Sequence, residues 1–243
     1  MSTANTPTSP GLSHDQFQHL VRQAAPRTAV FDFDGTLWPG DAGSGFMRWT
    51  IDTGLISAAA AEHILGRHAS YHRGEVGEIA ICGEMVSIYS GLREEELRES
   101  ARAYFVQHVQ PHLYPAMIAL VHRLQDAGVD VWAVSSTNNW MIEEGVRAMR
   151  IAPDHVLAAC VAVNDGVVAE DVIDVPSDEG KAQALRRVGL ATPDVVFGNS
   201  VHDAAMLQMA RAPFAVNPSP ALVQLAAELG WPTYWPAEQD AAV

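Results

Sequence analysis

Residues 28–37 read Thr-Ala-Val-Phe-Asp-Phe-Asp-Gly-Thr-Leu. Thr28 to Phe33 is a short run rich in β-branched and aromatic residues, too short for a helix, and Asp34-Gly35 stops it. Such a run is a buried strand entering a turn. Its polar residues are Asp32 and Asp34, and residues two apart on an extended chain project to the same side. Two carboxylates at the end of an apolar strand are costly unless a cation or hydrogen bonds compensate them. Placed so, one can attack an electrophile while the other moves a proton, with a divalent metal reducing their repulsion. The plainer alternative is a pair of acids capping the following turn.

Outward from this strand the pattern alternates. His14 to Ala25 has helical spacing, and Pro26 ends it. Downstream, Pro115 to Ala127 is a predicted helix, Val129–Val134 a second strand, Asn139 to Arg150 a helix and His155–Val163 a third strand. Asn164-Asp165-Gly166 predicts a hairpin turn into Val167-Val168. Lys181 to Val188 follows as a helix, Asp194–Phe197 as a strand, Asp203 to Ala210 as a helix, Phe214–Val216 as a strand and Ala221 to Leu229 as a last helix. Residues 38–112 carry helical spacing without a convincing strand, and an interval that long is a subdomain rather than a loop. The expected fold is therefore α/β: a parallel, Rossmann-like sheet with helices on both faces and an inserted helical cap. The division is a flexible tail over 1–13, a core over 14–37 and 113–235, and the cap over 38–112. Ligands of such sheets bind at the carboxyl ends of strands, so the residues that follow strands matter most.

The chain has 243 residues with 15 basic and 29 acidic side chains, a net charge of −14, and 48% hydrophobic residues. That hydrophobic share supports a full core and excludes a chain disordered throughout. The acidic balance argues against nucleic acid or an anionic membrane as partner, because both require clustered Lys and Arg. Cys82 and Cys160 are far apart and match no metal-finger spacing, which suits a reduced compartment. No basic stretch followed by an apolar run opens the chain, and no run approaches the ~20 apolar residues of a membrane span. The expectation is a cytoplasmic protein, monomer or homodimer.

Other predicted strand ends carry matching chemistry. Ser135-Ser136-Thr137 offers hydroxyls and successive N–H groups suited to phosphate oxygens. Gly198-Asn199-Ser200 with Asp203 adds an amide oxygen and a carboxylate, and Lys181 sits at a helix start where the dipole disfavours a cation. Each alone is a turn, a cap or a surface charge; together and in this order they resemble the haloacid dehalogenase-like hydrolases, in their phosphoserine phosphatase-like branch. The resemblance spans about residues 27–232. It implies Asp32 as nucleophile forming an aspartyl-phosphate, Asp34 as acid and base, and Thr36 ordering the loop. It further implies Ser135 and Ser136 at the phosphoryl group, with Lys181 neutralising Asp32 and a phosphate oxygen. Mg²⁺ would be held by Asp32, the backbone carbonyl of Asp34 and the side chain of Asn199.

Two departures from that pattern bear on function. The family usually has Asp where this chain has Asn199, which weakens the metal site and shifts part of it to Asp203. Asp41 matches the acid that grips a substrate amine in phosphoserine phosphatases, but an ungapped match of Gly74 through Leu92 puts Met85 where those enzymes carry an arginine for the substrate carboxylate. A thioether cannot replace a guanidinium. The expected substrate is a small phosphomonoester, an amino-alcohol phosphate such as phosphoethanolamine, phosphocholine or phosphoserine, with Met85 favouring the two that lack a carboxylate. Trp38 is a candidate to hold the cation on its ring face, against the plainer reading that it packs in the core. His68 and His72, at helical metal-pair spacing beside His63, lack a third ligand and read as a solvated helix face. A phosphomutase and a catalytically weak phosphate-ester-binding module are the alternatives.

Overall fold

The computed structural model describes residues 11–236. Strand β1 (Thr28–Phe31) lies within a seven-stranded sheet together with β2 (Asp130–Asn138), β3 (Val156–Asn164), β4 (Val167–Asp174), β5 (Val195–Gly198), β6 (Ala212–Val216) and β7 (Thr233–Tyr234). The order across the sheet is β4-β3-β2-β1-β5-β6-β7. Because β1 pairs in parallel with β2 on one side and β5 on the other, the strand order reverses beside it. That reversal opens a crevice at the carboxyl end of β1, where Asp32 and Asp34 follow. The uninterrupted apolar character of Ala29, Val30 and Phe31 has its cause here, since a central parallel strand is covered on both faces and all three are fully buried. The expected α/β fold is the observed one.

The helices cover both faces. They are α1 (His14–Gln23), then α2 (Ala42–Asp52), α3 (Ala58–His72), α4 (Glu78–Ser87) and α5 (Glu94–Tyr104) between β1 and β2, and then α6 (Pro115–Asp126), α7 (Asn139–Ala148), α8 (Glu179–Arg187), α9 (Ala204–Met209) and α10 (Pro220–Leu229). On one face Phe17 of α1 stacks on Tyr234 at 4.1 Å and meets Phe214 edge-on, while Phe31 and Phe197 stack within the sheet at 4.4 Å. The segment α2–α5 leaves and rejoins the sheet at one point, where the Tyr114 N–H donates to the Leu37 carbonyl at 2.9 Å. Helix α4 packs against β2, β3 and β4, which brings its first turn over the crevice. Among the described residues no helix is long and apolar enough to cross a membrane.

Several boundaries differ from the sequence expectation. Strand β2 does not stop at Val134; it continues through Asn138, and its register against β3 shifts between Ser135 and Asn138. The shift is a bulge that lets a strand re-aim side chains at its end. The predicted hairpin forms: Asp165 (φ 51°) and Gly166 (φ 75°) both take positive φ, as a two-residue turn of mirror-image type requires. Asp203 closes a short 3₁₀ turn ahead of α9 rather than opening a helix, and α5 widens into a π turn over Phe105–Val109. Strand β7 has no counterpart in the expectation. Residues 1–10 of the expected tail lie outside the described residues, but Leu12 is docked, its N–H donating to the Thr233 carbonyl at 2.8 Å.

Candidate active site

Asp32 follows β1 directly and is almost fully buried. Its Oδ1 accepts from Lys181 Nζ at 2.7 Å and its Oδ2 from Thr36 Oγ1 at 2.9 Å. Lys181, on the first turn of α8, is 2% exposed and also donates to Asp203 Oδ1 at 2.5 Å. Burial at a helix start is unfavourable for an ammonium unless carboxylates meet it; two do, and they hold its pKa above the ordinary lysine value. Burial and the neighbouring Asp203 push Asp32 up to about 7 against the pull of Lys181.

Asp34 is held by three donors. Trp38 Nε1 (2.8 Å) and the Ala42 N–H (2.6 Å) reach Oδ1, and Thr137 Oγ1 reaches Oδ2 at 2.7 Å. Burial, with Asp41 nearby, raises its pKa to about 6, while these hydrogen bonds oppose the rise. A carboxyl poised there changes protonation near neutrality, as a group that must both give and take a proton requires.

Ser135, Ser136, Asn199, Lys181, Asp32 and Asp34 line one cleft of about 200 Å³. Gly35, at φ 76°, admits the Asn199 side chain against the Asp34-Gly35 turn; a Cβ there would lie 1.9 Å from Asn199 Nδ2. The β2 bulge lets the Ser135 hydroxyl accept the Thr137 N–H at 3.1 Å.

Two expected site residues stand elsewhere. Asp203 does not line the cleft: it is fully buried, and its Oδ2 accepts the N–H groups of Asn199 (2.8 Å) and Ser200 (2.9 Å) while Oδ1 holds Lys181. It positions the Asn199 loop and the lysine from behind the cleft lining. Trp38 is 1% exposed, wedged edge-on between Phe33 and Phe105. Its ring face is spent on packing and only its N–H serves the site, so it is no cation platform. Asp41 and Met85 do line the cleft, but both Asp41 oxygens are engaged by Ser44, its N–H at 2.8 Å and its hydroxyl at 2.6 Å, as the N-cap of α2. His68 does not lie on a solvated face: it is buried and turns toward Ser44 Oγ at 3.0 Å. Among the described residues no three His, Cys, Asp or Glu gather as metal ligands.

A family model described as haloacid dehalogenase-like hydrolase matches residues 29–208, most of the chain. The chain belongs to the haloacid dehalogenase-like hydrolases. It is 27% identical over 215 residues to a protein of Neisseria meningitidis serogroup C (strain 8013) named histidinol-phosphatase, covering 84% of this chain and 96% of that one. Among solved structures it resembles a Bordetella pertussis Tohama I protein of unknown function (TM-score 0.77, 24% identity, 86% and 98% covered). It also resembles a phosphoserine phosphatase solved as an analogue of its phospho-aspartyl intermediate (TM-score 0.59, 18% identity, 87% and 93% covered). These two likenesses are of fold. In this hydrolase Thr137 is one site residue that the sequence reading did not single out, and Glu78 and His202, which also line the cleft, are others. Thr137 lies 103 residues from Asp34, and its only sequence signal was the run of hydroxyls at 135–137.

Proposed function

We propose that the protein is a Mg²⁺-dependent phosphatase that hydrolyses a small amino-alcohol phosphate, L-histidinol phosphate, through an aspartyl-phosphate on Asp32. The observation that carries this reading is the convergence of Asp32, Asp34, Ser135 and Lys181 on one cleft at the end of β1. Asp32 attacks phosphorus, and the bond to the leaving alcohol breaks as Asp34 gives that oxygen a proton. Asp34 then takes a proton from the water that attacks the same phosphorus, which breaks the bond to Asp32 and frees phosphate. Ser135, Ser136 and Lys181 serve the equatorial oxygens, where phosphoryl transfer gains most from fixed charge and donors.

The donor set fits a small hard dication. Asp32, Asp34 and Asp203 are set against one ammonium, Lys181, so the buried cluster is two positive charges short when ionised. Asp32, the Asp34 carbonyl and Asn199 would hold Mg²⁺, an ion that needs only one or two carboxylates from the protein. When bound it supplies positive charge at the transferring group.

Substrate choice rests on the cleft and on the relative. Met85 places a thioether where a phosphoserine phosphatase-like pattern has a guanidinium for the substrate carboxylate, and Glu78 and Asp41 add negative charge to the same cleft. Both favour a leaving alcohol with an amine and no carboxylate. L-histidinol has that chemistry, and it is the alcohol named for the Neisseria relative. Phosphate release from L-histidinol phosphate and phosphoserine, with and without Mg²⁺, tests the reading. Expected are Mg²⁺-dependent turnover favouring histidinol phosphate and its abolition in Asp32→Asn. Equal or better turnover of phosphoserine would overturn the substrate assignment.

A further inference from the structure

Glu78 opens α4 above the cleft and lines it. Its side chain is 13% exposed, and its Oε2 is buried without a hydrogen-bond partner. The other oxygen, Oε1, accepts a long contact from Cys82 Sγ at 3.6 Å, and the Tyr71 hydroxyl also interacts with this carboxylate. Among the described residues no Lys or Arg pairs with it. A carboxylate oxygen turned from water without a hydrogen bond is costly, and an acid at a helix start gains from the dipole without having to face a cleft. Across from it, His202 Nε2 lies 3.7 Å from Oε2, beyond hydrogen-bond reach. The other His202 nitrogen, Nδ1, is 2.7 Å from Asp178 Oδ1. A carboxylate only accepts, so Nδ1 carries a hydrogen, and in that tautomer of the imidazole Nε2 is an acceptor. Two acceptors thus face each other across a gap in the cleft, and one ammonium group can donate to both.

We propose that Glu78, with His202 opposite, takes the substrate's ammonium group, and that Asp41 does not. Asp41 is the residue that sequence position favours, but its oxygens are committed to Ser44. The inference rests on the amino-alcohol phosphate reading above and assigns its specificity to a residue of α4. Glu78 is a specificity determinant and takes no part in the bond changes at phosphorus.

The test compares kcat/KM for L-histidinol phosphate with kcat/KM for glycerol phosphate, which has no amine, in wild type, Glu78→Gln and Asp41→Asn with Mg²⁺ present. Glu78→Gln keeps the shape and removes the charge, so the ratio is expected to fall by about tenfold or more, chiefly through KM. Asp41→Asn is expected to move the ratio less than Glu78→Gln does. L-histidinol, as a competitive inhibitor of aryl phosphate hydrolysis, should weaken in parallel, and a thermal melt reports whether each variant is folded. A wild-type preference for the amine that survives Glu78→Gln, or that Asp41→Asn removes as fully, overturns the role of Glu78 and leaves the substrate reading standing. A wild type with no preference for the amine overturns both.

Discussion

Thr137→Val isolates one donor to the acid/base carboxyl. The two side chains are nearly the same size, and Thr137 is 8% exposed, so the substitution removes a hydroxyl and little else. That hydroxyl donates to Asp34 Oδ2 at 2.7 Å, the one donor on that oxygen among the described residues, while Trp38 and Ala42 share the other. A hydrogen bond to an ionised partner contributes about 1.5–3 kcal/mol. All of it favours the ionised form, so at 1.36 kcal/mol per unit its loss raises the Asp34 pKa by about 1–2 units. Starting from about 6, the carboxyl would titrate at about 7–8 in the variant, taking the ionised fraction at neutral pH from about nine-tenths to between a tenth and a half.

The step that needs ionised Asp34 is the second, in which it accepts a proton from the attacking water. The acid limb of kcat against pH should therefore move up by about 1–2 units in Thr137→Val, with the fall in rate largest below neutrality. Thr137→Ser keeps the hydroxyl and should restore the wild-type limb. Steady-state kinetics on L-histidinol phosphate across the pH range reads both. An acid limb that stays in place in folded Thr137→Val refutes the assignment of Asp34 as the group that takes the proton.

Other expectations follow from the buried cluster. Asn199→Asp replaces a neutral ligand oxygen with a charged one and should tighten Mg²⁺ about tenfold in a calorimetric titration; unchanged or weaker binding contradicts Asn199 as a ligand. The folded-state pKa values of Asp32 and Asp34, about 7 and about 6, lie above the ordinary 3.8. Their protonated forms thus add stability that is complete below the unfolded value and is lost as pH rises through 6 to 7. From this contribution the metal-free melting temperature should fall between pH 5 and pH 8, and the rise on adding Mg²⁺ should be larger at pH 8; an equal rise at both would count against the carboxylates as the metal's ligands. Lys181→Met leaves two buried carboxylates without their cation, a loss of about 3–5 kcal/mol. Denaturant melts should show it near pH 8 and show less of it at pH 5, where the acids take up protons.

What the sequence made legible was whatever lies within one element. The strand at 28–31 and the spacing of Asp32 and Asp34 are local patterns, and the Asp165-Gly166 turn follows from the φ angles those residues tolerate. The donors that tune Asp34 come from three places: Trp38 on the same turn, the backbone of Ala42, and Thr137 on a strand more than 100 residues away. Sequence shows that Ser135-Ser136-Thr137 follows an apolar run, but which hydroxyl turns to which carboxylate depends on the β2 bulge, a property of the pairing with β3. Strand β7 escaped for a related reason: two residues flanked by Pro232 have no period to read, and only the exposed edge of β6 makes them a strand.

Asp203 shows how a local rule can point to the wrong partner. Four residues after Asn199, it is well placed to supplement a weakened metal site, and nothing in the sequence between them argues otherwise. In the fold, Gly198 is fully occupied by its approach: a Cβ there would meet Asp203 Cβ at 2.7 Å. That closeness turns the carboxylate inward, onto two backbone N–H groups and Lys181. The result bears on how a chain of net charge −14 can handle a phosphate ester. Beyond ~8 Å at physiological salt the mean charge is largely screened, so attraction must be local. Asp203 makes it local by fixing the one ammonium beside Asp32, and the two positive charges still wanting there are the quantity that Mg²⁺ carries. Glu78 lines the same cleft, and on the proposal above the ester's two ends would be taken by groups of opposite charge.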